Sequence, residues 1–114
     1  MTKKYTLVNG TLTVGGAIVK LPYTAVEGLT YNGLVIVKVE PPARIIFNRN
    51  IFGVLDHGEI LWQIEESPHG TQMDKPYIDI FIDPSGELIA ANWNGVSYAV
   101  DPASGKISIK SFDK

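Results

Sequence analysis

Apolar residues along this chain fall in short runs rich in Val, Ile, Tyr and Phe, and Gly, Pro, Asn and Asp interrupt them. No stretch of ten or more residues keeps an apolar period near 3.6. Period-two runs bounded by turn residues predict strands, so the pattern reads as an all-β chain. The second half can be registered by hand. In Trp93-Asn94-Gly95-Val96, Asn-Gly suits the two left-handed positions of a two-residue type I′ hairpin. Trp93 then faces Val96, Ala91 faces Tyr98 and Ile89 faces Val100, all six on one side of the sheet. A turn at Asp83-Pro84-Ser85-Gly86 pairs Ile80 with Ile89, Ile78 with Ala91 and Phe81 with Leu88. The turn beginning at Asp101-Pro102 pairs Val100 with Ile107 and Tyr98 with Ile109. Four strands, about 77–82, 87–93, 96–100 and 107–111, are expected as an antiparallel meander. Ile78, Ile80, Ile89, Ala91, Trp93, Tyr98 and Val100 are expected to look inward together.

Upstream, a turn at His57-Gly58 sets Leu55 against Ile60, Gly53 against Trp62 and Ile51 against Ile64. A glycine opposite a tryptophan leaves room for the indole to lie across the partner strand. Asn9-Gly10 and Gly15-Gly16 mark earlier turns. Val35, Val37 and Val39 share a face of a strand that Pro41-Pro42 stops. Residues 22–33 are expected to hold a short strand or a single helical turn. Ser67 to Pro76 is the long irregular loop. The architecture expected is a single domain over residues 1–114, a small sandwich or partly closed barrel with at most a short helical turn.

Two resemblances accompany this pattern. The segments DHGEI, DPSGEL and DPASGKI each place Asp, Gly, a charged residue and an aliphatic one in order, and YAVDPASGKI resembles the hairpin turn of quinoprotein-type propeller blades. It covers two hairpins, and Ser111-Phe112 stands where such blades carry a tryptophan. A propeller needs at least four blades of four strands, more than this chain holds. The longer stretch EPPARIIFNRNIFGVLDHGEILWQI, followed by ELIAANWNGVSYAVDPASGKI, resembles small bacterial proteins with no assigned activity. They share a Pro-Pro break, an N-x-F/Y strand, a strand ending ILWQI and an NW-x-G hairpin.

Composition narrows the chemistry. The chain has 114 residues, no cysteine and a net charge of −2, so a disulfide framework, a thiol nucleophile and a thiolate metal site are excluded. Residues 1–55 carry a formal charge of +4 and residues 56–114 carry −6. A sequence pI near 5.6 argues against nucleic acid. No run approaches the ~20 apolar residues of a spanning helix, and no apolar core follows the N-terminal lysines as a secretory signal requires. A soluble cytoplasmic protein without a membrane partner is expected.

Candidate chemistry is sparse. His57 sits in a turn beside Asp56 and Glu59, but neighbouring side chains point to opposite faces and converge poorly on a metal. His69 lies two residues from Ser67 without a nucleophile elbow or orienting acid. Asp79 and Asp83 stand two pleats apart, too far for paired carboxylate catalysis. No cofactor, metal or catalytic group is therefore assigned. Tyr77, Asp79 and Phe81 alternate with Ile78, Ile80 and Ile82, so their strand carries apolar bulk on both faces. Either Tyr77, Phe81 and Leu88 form an exposed contact patch, or the N-terminal strands cover them as a second layer. The favoured function is a non-catalytic protein-interaction module using Tyr77, Asp79, Phe81 and Leu88, as a homodimer or as an immunity- or antitoxin-like inhibitor. The alternative is a small-ligand-binding barrel, or a small enzyme, with a pocket near Trp62, His69, Arg44 and Arg49.

Overall fold

A computed structural model describes residues 5–112. Eleven strands occur in chain order: β1 Tyr5–Val8, β2 Thr11–Val14, β3 Ala17–Ile18, β4 Thr24–Tyr31, β5 Leu34–Glu40, β6 Ile51–Val54, β7 Ile60–Gln63, β8 Tyr77–Ile82, β9 Leu88–Asn92, β10 Val96–Val100 and β11 Ile107–Phe112. No helix occurs among the described residues. The strands form three antiparallel sheets, ordered β1-β2-β3, β4-β5-β6-β7 and β11-β10-β9-β8. They stack as a sandwich, and no sheet closes into a barrel. Residues 22–33, expected as a short strand or helical turn, supply the eight-residue β4.

The central sheet is covered on both faces, and β5 shows why. Its sequence LVIVKV has no polar alternation, the signature of a strand buried from both sides. Leu34 and Ile36 join Ile51, Trp62 and Ile64 in a core shared with β8–β10. Val35, Val37 and Val39 join Phe52 and Val54 in a second core, closed by Leu12, Val14 and Val19 from the N-terminal segment. The expected valine face is thus one of two buried faces. Trp62 lies over Gly53, its register partner, and a Cβ on Gly53 would stand 2.3 Å from indole Cε2. Glycine at that position is therefore a packing requirement.

The meander β8–β11 is present, but two hairpins are registered one residue away from expectation. Asn94-Gly95 does not form a type I′ turn. Ser97 pairs with Ala91 and Tyr98 with Ala90, so the loop is Trp93-Asn94-Gly95. Gly95 N–H donates to the Asn92 carbonyl at 3.0 Å. Gly95 takes φ +86°, while Asn94 is absent from the left-handed residues, the geometry of a three-residue loop closed by a glycine bulge. The Asp83 hairpin closes the same way: Asp83 N–H donates to the Glu87 carbonyl at 2.9 Å and Phe81 pairs with Ile89. Asn32-Gly33, between Tyr31 and Leu34, is a true type I′ turn with φ +49° and +81°.

A shift of one residue exchanges the faces of a strand. The inward set is Ile80, Leu88, Ala90, Val96, Tyr98 and Val100. Ile89 and Ala91, expected inward, lie on the outer face with Phe81. Trp93 is in the loop and 58% exposed, and Ile78 is an exposed bulge residue. The pairings Val100–Ile107 and Tyr98–Ile109 stand as expected. At His57-Gly58, Gly53 pairs with Trp62 as expected, but a bulge sets Val54 rather than Leu55 against Ile60.

Candidate functional site: an outer sheet face and a cleft at the sandwich edge

The irregular segment between β7 and β8 is mostly exposed and lies outside the sheets, and where it meets the core at Ser67 and again before Tyr77 its main-chain groups need partners. Side-chain amides supply them. Asn50, fully buried, accepts from Tyr77 N–H through Oδ1 and donates to the Tyr77 carbonyl through Nδ2, both at 2.9 Å. It imitates a paired strand residue and ties the central sheet to β8. Two residues earlier, Asn48 bridges the segment itself, donating to the Met73 carbonyl at 2.7 Å and accepting from Lys75 N–H at 2.9 Å. Asn92 donates to the Lys75 carbonyl at 2.9 Å. Arg49 points to the other strand and donates to the Ile64 carbonyl at 2.8 Å.

So anchored, the segment brings Ser67 and His69 onto Tyr98 of β10. Asn94 donates to Ser67 Oγ at 2.7 Å, and the His69 N–H approaches the same oxygen at 3.3 Å. With its acceptor sites taken, the Ser67 hydroxyl donates to Tyr98, 2.5 Å away. Tyr98 then donates to His69 Nδ1 at 2.7 Å. This ordering leaves the ring proton on Nε2. Ser67 and Tyr98 are both buried, so the chain of hydrogen bonds orients the His69 ring from the core side. Behind it, Tyr77 donates to the Glu65 carbonyl at 2.7 Å. Burial, ahead of the neighbouring Tyr98 and the Glu65 and Glu66 carboxylates, pushes its phenol above the usual range, so it stays a donor.

His69 and Tyr98 line a cleft of about 230 Å³ with Glu65, Glu66, Pro68, Ile107, Ser108 and Ile109. Phe112 meets the His69 ring edge-on, with centroids 6.1 Å apart. A second depression lies on the outer face of the β8–β11 sheet. It measures about 450 Å³ and is lined by Phe81, Asp83, Ile89, Ala91, Ser97, Lys110 and Ser111. Phe81 is 39% exposed and Ile89 only 2%. Lys110 meets Glu87 at 2.5 Å and Asp83 at 3.7 Å at its rim. The Ser85 hydroxyl, then the Glu87 N–H, hold the Asp83 carboxyl below its usual range.

The four residues of the expected interaction face divide between two sides. Tyr77 and Leu88 belong to the inner core. Asp79 and Phe81 pair with Ala91 and Ile89 on the outer side. The four residues of the alternative pocket do not share a cavity. Trp62 is buried and donates to the Pro102 carbonyl at 2.7 Å. His69 lines the edge cleft. Arg49 borders a separate hollow with Glu65, Glu66 and Lys106, and Arg44 lies in the exposed Pro41–Ile45 turn. His57 has Asp56 at Nδ1 and Glu59 at Nε2, 3.4 and 3.5 Å away, so the carboxylates flank the ring instead of meeting at a point. Asn50 has no signal in the sequence, Asn94 reads there only as a turn residue, and Ser67 only as a neighbour of His69. Their partners are mostly main-chain groups or residues some 27 positions distant, and composition carries no trace of them.

Fold and surfaces together define a small, three-sheet antiparallel β protein with an uncovered sheet face and an edge cleft. The chain belongs to the DUF7957 family, a domain of unknown function, whose model matches residues 2–112. No curated protein matches it, and no solved structure does. One family spans nearly the whole chain, and the likeness of its hairpins to propeller blades finds no support.

Proposed function

We propose that this protein is a non-catalytic protein-interaction module that pairs with a second copy of itself through the outer face of the β8–β11 sheet. The supporting observation is the depression on that face, floored by the buried Ile89 and the half-buried Ala91, with the exposed Phe81 ring at its side. The β8–β11 sheet has its inner face in the core, and large apolar groups left on an outer face mark contact surfaces. The rim carries both signs, Lys110 beside Asp83 and Glu87. A twofold arrangement can therefore set each lysine against a carboxylate of the partner copy. Contact through side chains is favoured over simple strand addition at β8. Lys38 Nζ already donates to the Ile78 carbonyl at 2.8 Å, and Asp79 accepts from Ile80 N–H at 2.9 Å; such groups blunt an edge.

Sedimentation velocity from micromolar to millimolar protein tests this. The wild type is expected to dimerise and Phe81→Lys to remain a monomer with an unchanged circular dichroism spectrum. A wild type that is monomeric throughout, or a dimer indifferent to Phe81→Lys, refutes the proposal.

A further inference from the structure

The β11 edge of the same sheet is a different matter. In an antiparallel ladder, successive residues alternate between pointing their N–H and C=O at the partner strand and pointing them away. Asp101 N–H donates to the Lys106 carbonyl at 2.8 Å, which fixes the phase. Ile107 and Ile109, opposite Val100 and Tyr98, therefore turn their main-chain groups outward. Glu65 Oε1 accepts from Ile107 N–H at 3.0 Å. On the far side, the register shifts between Ser97 and Tyr98, with Lys110 the extra residue. Between the Glu65 clamp and the Lys110 bulge, the same phase turns the Ile107 carbonyl and both main-chain groups of Ile109 away from β10, on the side of β11 where the sheet ends.

This open stretch forms one wall of the 230 Å³ cleft, and His69 stands in it. The Ser67–Tyr98 network fixes the ring with Nδ1 as acceptor, so Nε2–H is left as a donor, and no described group accepts from it. Ile109 and Phe112 are exposed apolar side chains beside it. The cleft falls below the ~300–1,000 Å³ of small-molecule pockets, yet a side chain and a short length of main chain fit. An open donor and acceptor on an edge strand, with a side-chain pocket beside them, is the arrangement by which strand addition recognises peptides.

We infer that this cleft binds an extended segment of a partner protein. The segment pairs its main chain with Ile109, places an apolar side chain against Ile107 and Ile109, and presents an acceptor to His69 Nε2. The device is short because Glu65 and the Lys110 bulge limit it on either side, which protects the edge from indiscriminate strand pairing. It is separate from the Phe81 face, so the two proposals stand or fall independently.

Random short peptides displayed on phage are selected on the full chain, and the enriched peptides are titrated with amide exchange as readout. Enriched peptides are expected to slow exchange at Ile109. Ile109→Pro should weaken them by about tenfold or more, the effect of a lost hydrogen bond and its unpaired partner. Proline is tolerated on an edge strand where the N–H faces outward, and the Tyr98–Ile109 side of the sheet reports whether the variant is folded. His69→Phe keeps a ring and removes the donor, and should weaken the same peptides. Phe81→Lys should leave them unchanged. Failure to enrich any peptide, or peptides indifferent to both Ile109→Pro and His69→Phe, overturns the inference. So does a small molecule seated in the cleft without protection of the Ile109 amide.

Discussion

Gly53→Ala is the sharpest test of the central sheet. A Cβ at position 53 would stand 2.3 Å from Trp62 Cε2, 2.6 Å from Cζ2 and 2.7 Å from Nε1. Carbon atoms in contact sit about 3.5–4.0 Å apart, so the indole must retreat by more than 1 Å. It has little freedom to do so, because a Cβ on Gly105 would already lie 2.7 Å from Cε3. Retreat also stretches the 2.7 Å bond from Nε1 to the Pro102 carbonyl. Overpacking costs about 1–3 kcal/mol, and a buried polar pair pulled apart costs about 1–3 kcal/mol. The better strand propensity of Ala returns about 0.5–1 kcal/mol. The net loss is about 3 kcal/mol, or roughly 10 °C or more in Tm for a chain of this size. Urea denaturation followed by tryptophan fluorescence and far-ultraviolet circular dichroism measures it. Because the cost arises from one clash, Gly53→Ala should become nearly neutral in a Trp62→Leu background, with a coupling of at least about 1.5 kcal/mol. A loss below about 1 kcal/mol, or additive single and double variants, would refute the packing.

Three further outcomes are expected. Asn50→Ala strands the N–H and C=O of Tyr77 and should cost about 2–4 kcal/mol, read as a lower urea midpoint; a variant as stable as wild type contradicts the sheet-to-sheet tie. Because Ser97 pairs with Ala91, Ala91→Cys/Ser97→Cys should form a disulfide on mild oxidation, whereas Ala91→Cys/Tyr98→Cys, the pairing of a type I′ turn, should not; the opposite result would restore that turn. The Asp83 carboxyl is held below its usual range by the Ser85 hydroxyl, then the Glu87 N–H. Its contribution is therefore present above the ordinary carboxylate pKa, about 4, and is lost as pH falls through the lower folded value. Asp83→Asn should flatten the acid limb of a Tm–pH curve, and parallel curves for variant and wild type would contradict this.

Strand positions were legible because punctuation and β-branched runs coincide: four strands expected near 77–82, 87–93, 96–100 and 107–111 are β8–β11. Register was not legible where Asn-Gly admits two loops. At Asn32-Gly33 both residues are left-handed. At Asn94-Gly95 only the glycine is, and the Asn94 amide is committed to Ser67 and the His69 carbonyl. A tertiary contact across 25 or more residues thus decides a local turn, and one residue of slip moves Ile89 to the outer face. β4 was obscured by Glu27 and Gly28 within an otherwise apolar run. Gly28 is where the Tyr5 ring packs and its hydroxyl donates to the carbonyl at 2.8 Å, a partner no local window contains. His69 could be picked out as a residue, but its orientation depends on Ser67 and Tyr98, which meet only in the fold.

Methyl and aromatic NMR spectra recorded across a dilution series test the functional account most directly. Self-pairing by the outer face predicts shifts that grow with concentration at Phe81, Ile89 and Ala91 and leave Leu12, Val37 and Val54 in place. Spectra that do not change on dilution, or changes centred on any other surface, would contradict it.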